Sequence, residues 1–152
     1  MDIRIEPYTK ERIEDVIRFE LDLREEESDW GWEIDDAYIA DVRNSFDDPT
    51  FADSISLLAY EGNRVIGRID SSMISSHFDG STKAYLDWIC VLKSARHLGV
   101  AQGLLAELRK QLREQYRVDT LIALMASNDE AQRFYRALEK AEIRDEGIWM
   151  DC

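Results

Sequence analysis

One stretch of the sequence, residues 85–113, most restricts the fold that this chain can adopt. It begins with aromatic and β-branched residues typical of a strand, breaks at Lys93–Ser94, and turns through Arg96-x-x-Gly99-x-Ala101. It then continues as an amphipathic helix whose apolar side carries Leu104, Leu105, Leu108 and Leu112. A strand, a turn of small residues and a helix in this order direct free backbone N–H groups towards an anion.

The turn itself predicts a site for a phosphate or pyrophosphate. Gly99 allows the backbone to approach a ligand closely, and the start of the helix adds about half a positive charge at the same place. Arg96 is expected to supply a supporting charge, although an ordinary turn with a surface arginine is the alternative. The Lys-Ser/Thr pair of a nucleotide P-loop is missing. The N–H groups expected to bind the anion are those of Leu98, Gly99, Val100, Ala101 and Gln102.

The composition fits one globular domain spanning residues 1–152, with 45% hydrophobic and 10% aromatic residues. No apolar segment approaches the ~20 residues that cross a bilayer, and the first residues do not resemble a signal peptide. Cys90 and Cys152 do not indicate a disulfide framework, and the isolated His77 and His97 do not indicate a metal site. We therefore expect a cytoplasmic protein without a metal and without membrane association.

The charge is unevenly distributed along the chain. Residues 1–50 contain 17 acidic and 6 basic residues of a chain whose net charge is −13, so this third should attract cations and repel phosphates. We therefore expect no nucleic-acid partner. Residues 93–117 reverse the balance, with six basic and two acidic residues.

Hydrophobic periodicity predicts the element order βααβββαβαβ, which is an α+β fold with α/β/α-like layers. We expect a mixed sheet of about six strands and about four helices. Gly62-Asn63 predicts a hairpin turn, and residues 120–126 are apolar enough for a strand buried on both faces. The other predicted strands cover residues 2–6, 54–61, 64–75, 83–92 and 148–150, and the predicted helices cover residues 10–23, 35–46, the segment from the Gly99 turn to about residue 117, and residues 129–140.

Two motifs in this order resemble those of the GNAT N-acetyltransferases and imply the GNAT fold. Val91 followed by Arg96-x-x-Gly99-x-Ala101 is similar to the family's acetyl-CoA-binding motif, and Asn128-x-x-Ala131-x-x-Phe134-Tyr135 is similar to its next motif. In addition, the strand Tyr85-Leu-Asp87-Trp-Ile-Cys-Val91 resembles the acid-bearing strand of aminoglycoside 6′-N-acetyltransferases, which have a carboxylate four residues before the same valine.

The resemblance implies that a neutral amine attacks the thioester of acetyl-CoA directly, with the pyrophosphate bound at the Gly99 turn. The backbone of Ile89 and Val91 would pair with the pantetheine arm. Tyr135 would be the general acid near the sulfur, although aromatic residues on helices are usually core residues. The second motif would add Asn128, Ala131 and Phe134 to the cofactor site.

Asp87 is the candidate for the acceptor side of the chemistry. Strand alternation predicts that its side chain shares a face with Tyr85 and Ile89. A carboxylate among such residues is costly unless it binds a partner, which suggests a functional role. It could bind the substrate ammonium or accept its proton, or it could merely pair with a nearby lysine or arginine. Asp70, on the neighbouring strand, is a weaker candidate for the same role.

The segment 25–36 combines many acidic residues with two tryptophans. It follows the first helix, where the family builds its acceptor wall. A polycation with an apolar backbone would fit it through ion pairs and cation–π contacts, whereas the alternative is a solvated charge run with packed tryptophans. The candidate residues are Glu27, Asp29, Trp30 and Trp32.

These features together predict an acetyl-CoA-dependent N-acetyltransferase acting on a small cationic amine. Aminoglycosides are the leading acceptor, which implies antibiotic resistance, and polyamines are the second. The alternatives are acetylation of a protein N-terminus or lysine, and a non-catalytic acyl-CoA sensor. Because homodimers are frequent in the family, we expect one by analogy.

Overall fold

A computed structural model describes residues 2–28 and 32–152 of the chain. The chain forms two compact units, residues 1–122 and residues 123–152. The prediction of one domain over residues 1–152 stays a prediction. No helix within the described ranges is both long enough and apolar enough to cross a membrane.

Within residues 2–28 and 32–152, five strands form one sheet in the order β1-β2-β3-β4-β5. Strands β1 to β4 pair antiparallel with their neighbours in sequence, and residues 62–63 make the predicted hairpin turn between β2 and β3. The predicted α+β class with a mixed sheet is confirmed. The strands are β1 (Ile3–Pro7), β2 (Ile55–Glu61), β3 (Arg64–Ser75), β4 (Thr82–Val91) and β5 (Leu121–Ala123).

The described part of the chain contains four α-helices, as predicted. Helix α1 follows a single 3-10 turn at Lys10–Arg12. The side chain of Asp35 caps the N-terminus of α2 by accepting a hydrogen bond from the N–H of Tyr38 at 2.8 Å. The helices are α1 (Ile13–Glu26), α2 (Asp36–Ser45), α3 (Val100–Tyr116) and α4 (Asp129–Arg136), and two further 3-10 turns occupy Pro49–Phe51 and Lys93–Ala95.

The two faces of the sheet carry different side chains. Residues that pair across antiparallel strands project on the same face, so Ile69 lies on one side of β3, opposite Leu57 of β2 and Ile89 of β4. Helix α3 covers that apolar side with its leucine stripe. Arg68 and Asp70 project from the other side, where Arg68 bonds to a residue of α1.

Helix α3 packs unusually close to the sheet at Gly67, in the middle of β3. A Cβ atom added to Gly67 would lie 2.9 Å from Cγ1 of Val100 and 3.3 Å from Cδ1 of Leu104. It would also lie 3.3 Å from the carbonyl oxygen of Cys90 on β4. Only a residue without a side chain lets the helix and the two strands meet at this distance.

Three predictions near the C-terminus are wrong, because two elements are shorter than predicted and one does not form. Strand β5 covers three residues instead of 120–126, and Ile122 is 41% exposed, so this strand is not buried on both faces. Helix α4 ends at Arg136, four residues earlier than predicted. Residues 148–150 form no strand, and the side chain of Trp149 is 79% exposed. The apolar triplet 148–150 has the composition of a strand, but a strand forms only where a neighbour supplies hydrogen bonds.

We expect Gly67→Ala to destabilise the protein by about 1–3 kcal/mol, because the added methyl overlaps Val100 and meets backbone at Cys90. Gly103→Ala is the matched control. Its Cβ would lie 3.6 Å from Ile5, an ordinary contact, and alanine in a helix interior gains up to about 1 kcal/mol over glycine. Urea unfolding measures both changes, and a neutral Gly67→Ala would contradict the close packing.

Candidate functional site

The turn between β4 and α3 has the geometry expected for anion binding. Gly99 adopts φ = +82° immediately before the first residue of α3, and a Cβ at this position would meet no atom within 4 Å. The space beside the backbone is therefore open. The first N–H groups of a 17-residue helix lack partners within that helix and carry partial positive charge. The residues placed here are the predicted ones, namely Leu98, Gly99, Val100, Ala101 and Gln102.

Arg96, just upstream of this turn, is held by the carboxylate of Glu27, the residue directly after α1. Its Nη1 and Nη2 donate to the two carboxylate oxygens of Glu27 at 2.9 and 2.6 Å, and its Nε donates to the carbonyl of Val91 at 3.3 Å. The structure thus joins a predicted cofactor residue to a predicted substrate residue. The charge of each is met by the other.

A β-bulge interrupts β4 at Asp87. Trp88 pairs with Asp70 of β3 and Leu86 pairs with Ser71, so Asp87 has no residue opposite it. The prediction that Asp87 shares a face with Tyr85 and Ile89 is wrong, because one extra residue shifts the alternation. Tyr85 now shares its face with Trp88, and Ile89 lies on the face of Leu86. The Asp87 side chain is exposed.

A cavity of about 980 Å³ opens in the first unit, on the side of the sheet that carries Arg68 and Asp70. Its size suits a drug-sized ligand. Its lining includes parts of strands β2 to β4, helices α1 and α2, the segment between α2 and β2, and Tyr8, which directly follows β1. The aromatic lining residues are Tyr8, Trp32, Tyr38, Phe46, Phe51 and Trp88, the acidic ones are Glu20, Asp41, Asp47, Asp48, Asp70 and Asp87, and the basic one is Arg68.

The floor of the cavity holds a network of paired charges. Nη1 of Arg68 donates to the Glu20 carboxylate at 2.9 Å, while its Nε and Nη2 form a bidentate pair with Asp70 at 2.8 and 2.9 Å. Arg24 adds a 2.8 Å bond to Glu20, which is only 1% exposed. Burial disfavours the charge of Arg68, but Asp70 and Glu20 outweigh it and raise the pKa of the guanidinium. The charge of Asp70 is therefore already met within the protein.

Two tryptophans form one wall of the cavity. The rings of Trp32 and Trp88 meet edge to face, with centroids 5.3 Å apart. Arg24 lies 5.0 Å over the Trp32 ring and donates from Nε to the Trp32 carbonyl at 3.1 Å. Trp32 thus lies where an acceptor could stack on it. The candidates Asp29 and Trp30 lie outside the described residues.

The second unit carries the second motif on α4. The Asn128 side chain accepts a hydrogen bond from the N–H of Ala131 at 2.9 Å and so caps the helix. The rings of Phe134 and Tyr135 are 5.2 Å apart, and both side chains are half-buried. Neither is therefore a fully buried core residue. The cofactor and acid roles predicted for this helix remain predictions.

Several lining residues were missed at the level of sequence. Glu20 falls on the buried stripe of α1, and Arg68, two residues before the predicted Asp70, alternates with apolar residues along β3. Charged residues at positions expected to be apolar were the available signal. Within residues 2–28 and 32–152, no group of three or more His, Cys, Asp or Glu side chains could hold a metal ion.

A comparison with protein families matches residues 4–139 to the family described as "Acetyltransferase (GNAT) family". That match covers the Gly99 turn, the cavity and α4. No curated protein matches the chain in the corresponding search.

Solved structures with similar folds include several acetyltransferases. An aminoglycoside antibiotic 6′-N-acetyltransferase from Acinetobacter baumannii is 18% identical, with a TM-score of 0.74 over 99% of each chain. AAC(6′)-Iy, in complex with a CoA-containing bisubstrate analogue, is 21% identical, with a TM-score of 0.76 over 100% of this chain and 99% of that chain. A ribosomal-protein-alanine N-acetyltransferase from Brucella melitensis is 14% identical, with a TM-score of 0.75 over 99% of this chain and 100% of that chain. At these identities the similarity establishes the fold.

Proposed function

Because the chain belongs to the GNAT acetyltransferase family, we propose that it transfers the acetyl group of acetyl-CoA to a primary amine of a small cationic acceptor, with an aminoglycoside as the leading candidate. One observation supports this class of acceptor. The cavity beside β4 is large, and the described residues line it with aromatic rings and with six carboxylates against one guanidinium. Such a lining favours a cation with apolar surface.

The Gly99 turn fits the pyrophosphate of the co-substrate, which supplies an activated acetyl thioester. The open space at Gly99 and the N–H groups at the start of α3 support this assignment. Since the charge of Arg96 is met by Glu27, we assign the anion chiefly to main-chain N–H groups. The backbone of Ile89 and Val91 is proposed for the pantetheine arm. Asn128, Ala131 and Phe134 are proposed for the cofactor on the strength of the family motif.

Asp87 is the proposed carboxylate for the reacting amine. Arg68 meets the charges of Glu20 and Asp70, and Lys10 bonds to Asp47 at 2.6 Å. Among the described residues, Asp87 has no cationic group within 4 Å. It also lines the cavity from the bulge of β4. Its negative charge can therefore hold an ammonium group and receive its proton, directly or through water.

The proton inventory requires one further group. Attack needs a neutral amine, so Asp87 removes a proton from the ammonium. The departing thiolate needs a proton, and we assign its donation to the phenol of Tyr135 because the family motif ends on this residue. The nitrogen loses its second proton after the attack, and a proton from solvent restores the phenol. The remaining contribution is positioning of the amine and the thioester.

Other acceptors are a second possibility within the same chemistry. Two of the similar structures are aminoglycoside 6′-N-acetyltransferases by their descriptions, while another is a ribosomal-protein-alanine N-acetyltransferase. An acidic, aromatic cavity also suits a polyamine or a basic peptide. Antibiotic resistance, a homodimer and a cytoplasmic location stay predictions.

We expect thiol release from acetyl-CoA when an aminoglycoside is added, measured against a panel that includes polyamines and basic peptides. Added salt should raise KM for a polycationic acceptor, because screening weakens the attraction of exposed carboxylates. Turnover with peptides alone would overturn the aminoglycoside assignment. Cofactor binding without turnover of any amine would favour the acyl-CoA sensor.

Asp87→Asn should lower kcat/KM by about 10²–10⁴-fold near neutral pH, the usual contribution of a general base. The loss should shrink as pH rises, because a larger fraction of the amine is then deprotonated without help. Asp53→Asn is the matched control, since Asp53 is exposed and the change in net charge is the same. A small loss that does not depend on pH would contradict the role of Asp87.

Tyr135→Phe should lower kcat by about 10²-fold or more while the affinity for CoA changes little, because only the phenolic proton is removed. Steady-state kinetics and calorimetry with CoA separate the two effects. Tyr116→Phe is the matched control, since it removes the same hydroxyl from an exposed tyrosine at the end of α3. Unchanged turnover of Tyr135→Phe would remove the assigned role.

A further inference from the structure

Two adjacent carboxylates at the end of α1 hold the loop that leads into the Gly99 turn. Glu26 accepts hydrogen bonds from the N–H and the Oγ of Ser94 at 2.9 and 2.7 Å. Glu27 accepts two bonds from the guanidinium of Arg96, at 2.9 and 2.6 Å. The two carboxylates thus fix alternate residues of the loop, on either side of Ala95, which is itself buried. We call this set of contacts, formed by Glu26, Glu27, Ser94 and Arg96, the carboxylate clamp.

Simple electrostatics disfavours acidic residues at this place. The C-terminus of α1 is the negative end of its helix dipole, so glutamates there are destabilising. The clamped loop also leads directly to the proposed pyrophosphate site, where further negative charge repels the ligand. Arg64 offsets part of the Glu26 charge from 3.8 Å. On charge alone, replacing either glutamate with glutamine should improve CoA binding.

The geometry gives the clamp a different effect. Hydrogen bonds to ionised carboxylates are shorter and stronger than neutral ones, and those from Glu26 hold the backbone of the loop directly. Burial disfavours the charged form of Glu26, but the bonds from Ser94 and the charge of Arg64 outweigh it and lower the pKa of this carboxyl. The acceptor is therefore ionised at neutral pH. A loop that is already ordered in the free protein loses less conformational entropy when the ligand binds, so the ligand binds more tightly.

We propose that Glu26 and Glu27 are positioning residues for the cofactor, which hold the loop 93–96 so that the N–H groups after it face the pyrophosphate. This inference rests on the proposed function of the Gly99 turn.

The sign of the change in CoA affinity distinguishes positioning from charge. We expect Glu26→Gln and Glu27→Gln each to weaken CoA binding about tenfold in calorimetry, because a charged acceptor is lost. Glu25→Gln is the matched control, since Glu25 is the exposed neighbour on the same helix and the change in charge is identical. The affinity of the Glu25→Gln variant for CoA should stay the same or rise slightly.

Ser94→Ala keeps every charge and removes only the Oγ donor to Glu26. It should weaken CoA binding about threefold, and combined with Glu26→Gln it should cost less than the sum of the two changes. Thermal unfolding checks that each variant is folded. If a glutamine variant unfolds, Ser94→Ala alone decides the question.

The possible failures are distinct. Unchanged or tighter CoA binding by Glu26→Gln, Glu27→Gln and Ser94→Ala would overturn the positioning role while leaving the proposed function intact. Absence of CoA binding by the wild-type protein would overturn the proposed function, and the positioning role with it.

Discussion

The close packing of α3 on Gly67 determines where the functional turn lies. Val100, the first residue of α3, packs on the glycine itself, and Gly67 pairs with Val91 at the end of β4. The end of the strand and the start of the helix are therefore fixed against the same residue of the central strand. The leucine stripe of α3 then buries the rest of the helix on the sheet. Because of this contact, the N–H groups of the first helical turn have a defined position beside the end of β4.

The opposite face of the sheet depends on a balance of buried charges. Glu20 and Asp70 would be costly in the interior without a counter-charge, and Arg68 supplies one to both. Arg24, which also pairs with Glu20, supplies the second positive charge, so these two carboxylates and two guanidinium groups carry no net charge. The acidic character of the cavity then comes from carboxylates higher on its walls, such as Asp41 and Asp87. Four of the acidic lining residues, Glu20, Asp41, Asp47 and Asp48, come from the acidic first third of the chain.

The parts of the structure that follow from local patterns were predictable from the sequence. The turn at Gly99, the leucine stripe of α3 and the Gly62-Asn63 hairpin depend on residues close together in the chain. The bulge at Asp87 was not predictable, because it depends on the register between β3 and β4. The cavity was also missed, since it brings together Tyr8, Tyr38 and Arg68 from distant elements. Composition likewise could not decide that residues 148–150 lack a strand partner.

Helix α2 differs from its neighbours in that none of its residues is fully buried. Its residues Tyr38 and Val42, with Phe46 directly after it, nevertheless line the cavity and are only half-buried. An element with so little burial opens at low free-energy cost, whereas β3 and β4 belong to the core. The α2 side of the cavity therefore moves more readily than the side formed by β3 and β4. A cavity with one mobile wall accommodates ligands of different shapes. The charges on the sheet side then decide which of these ligands bind.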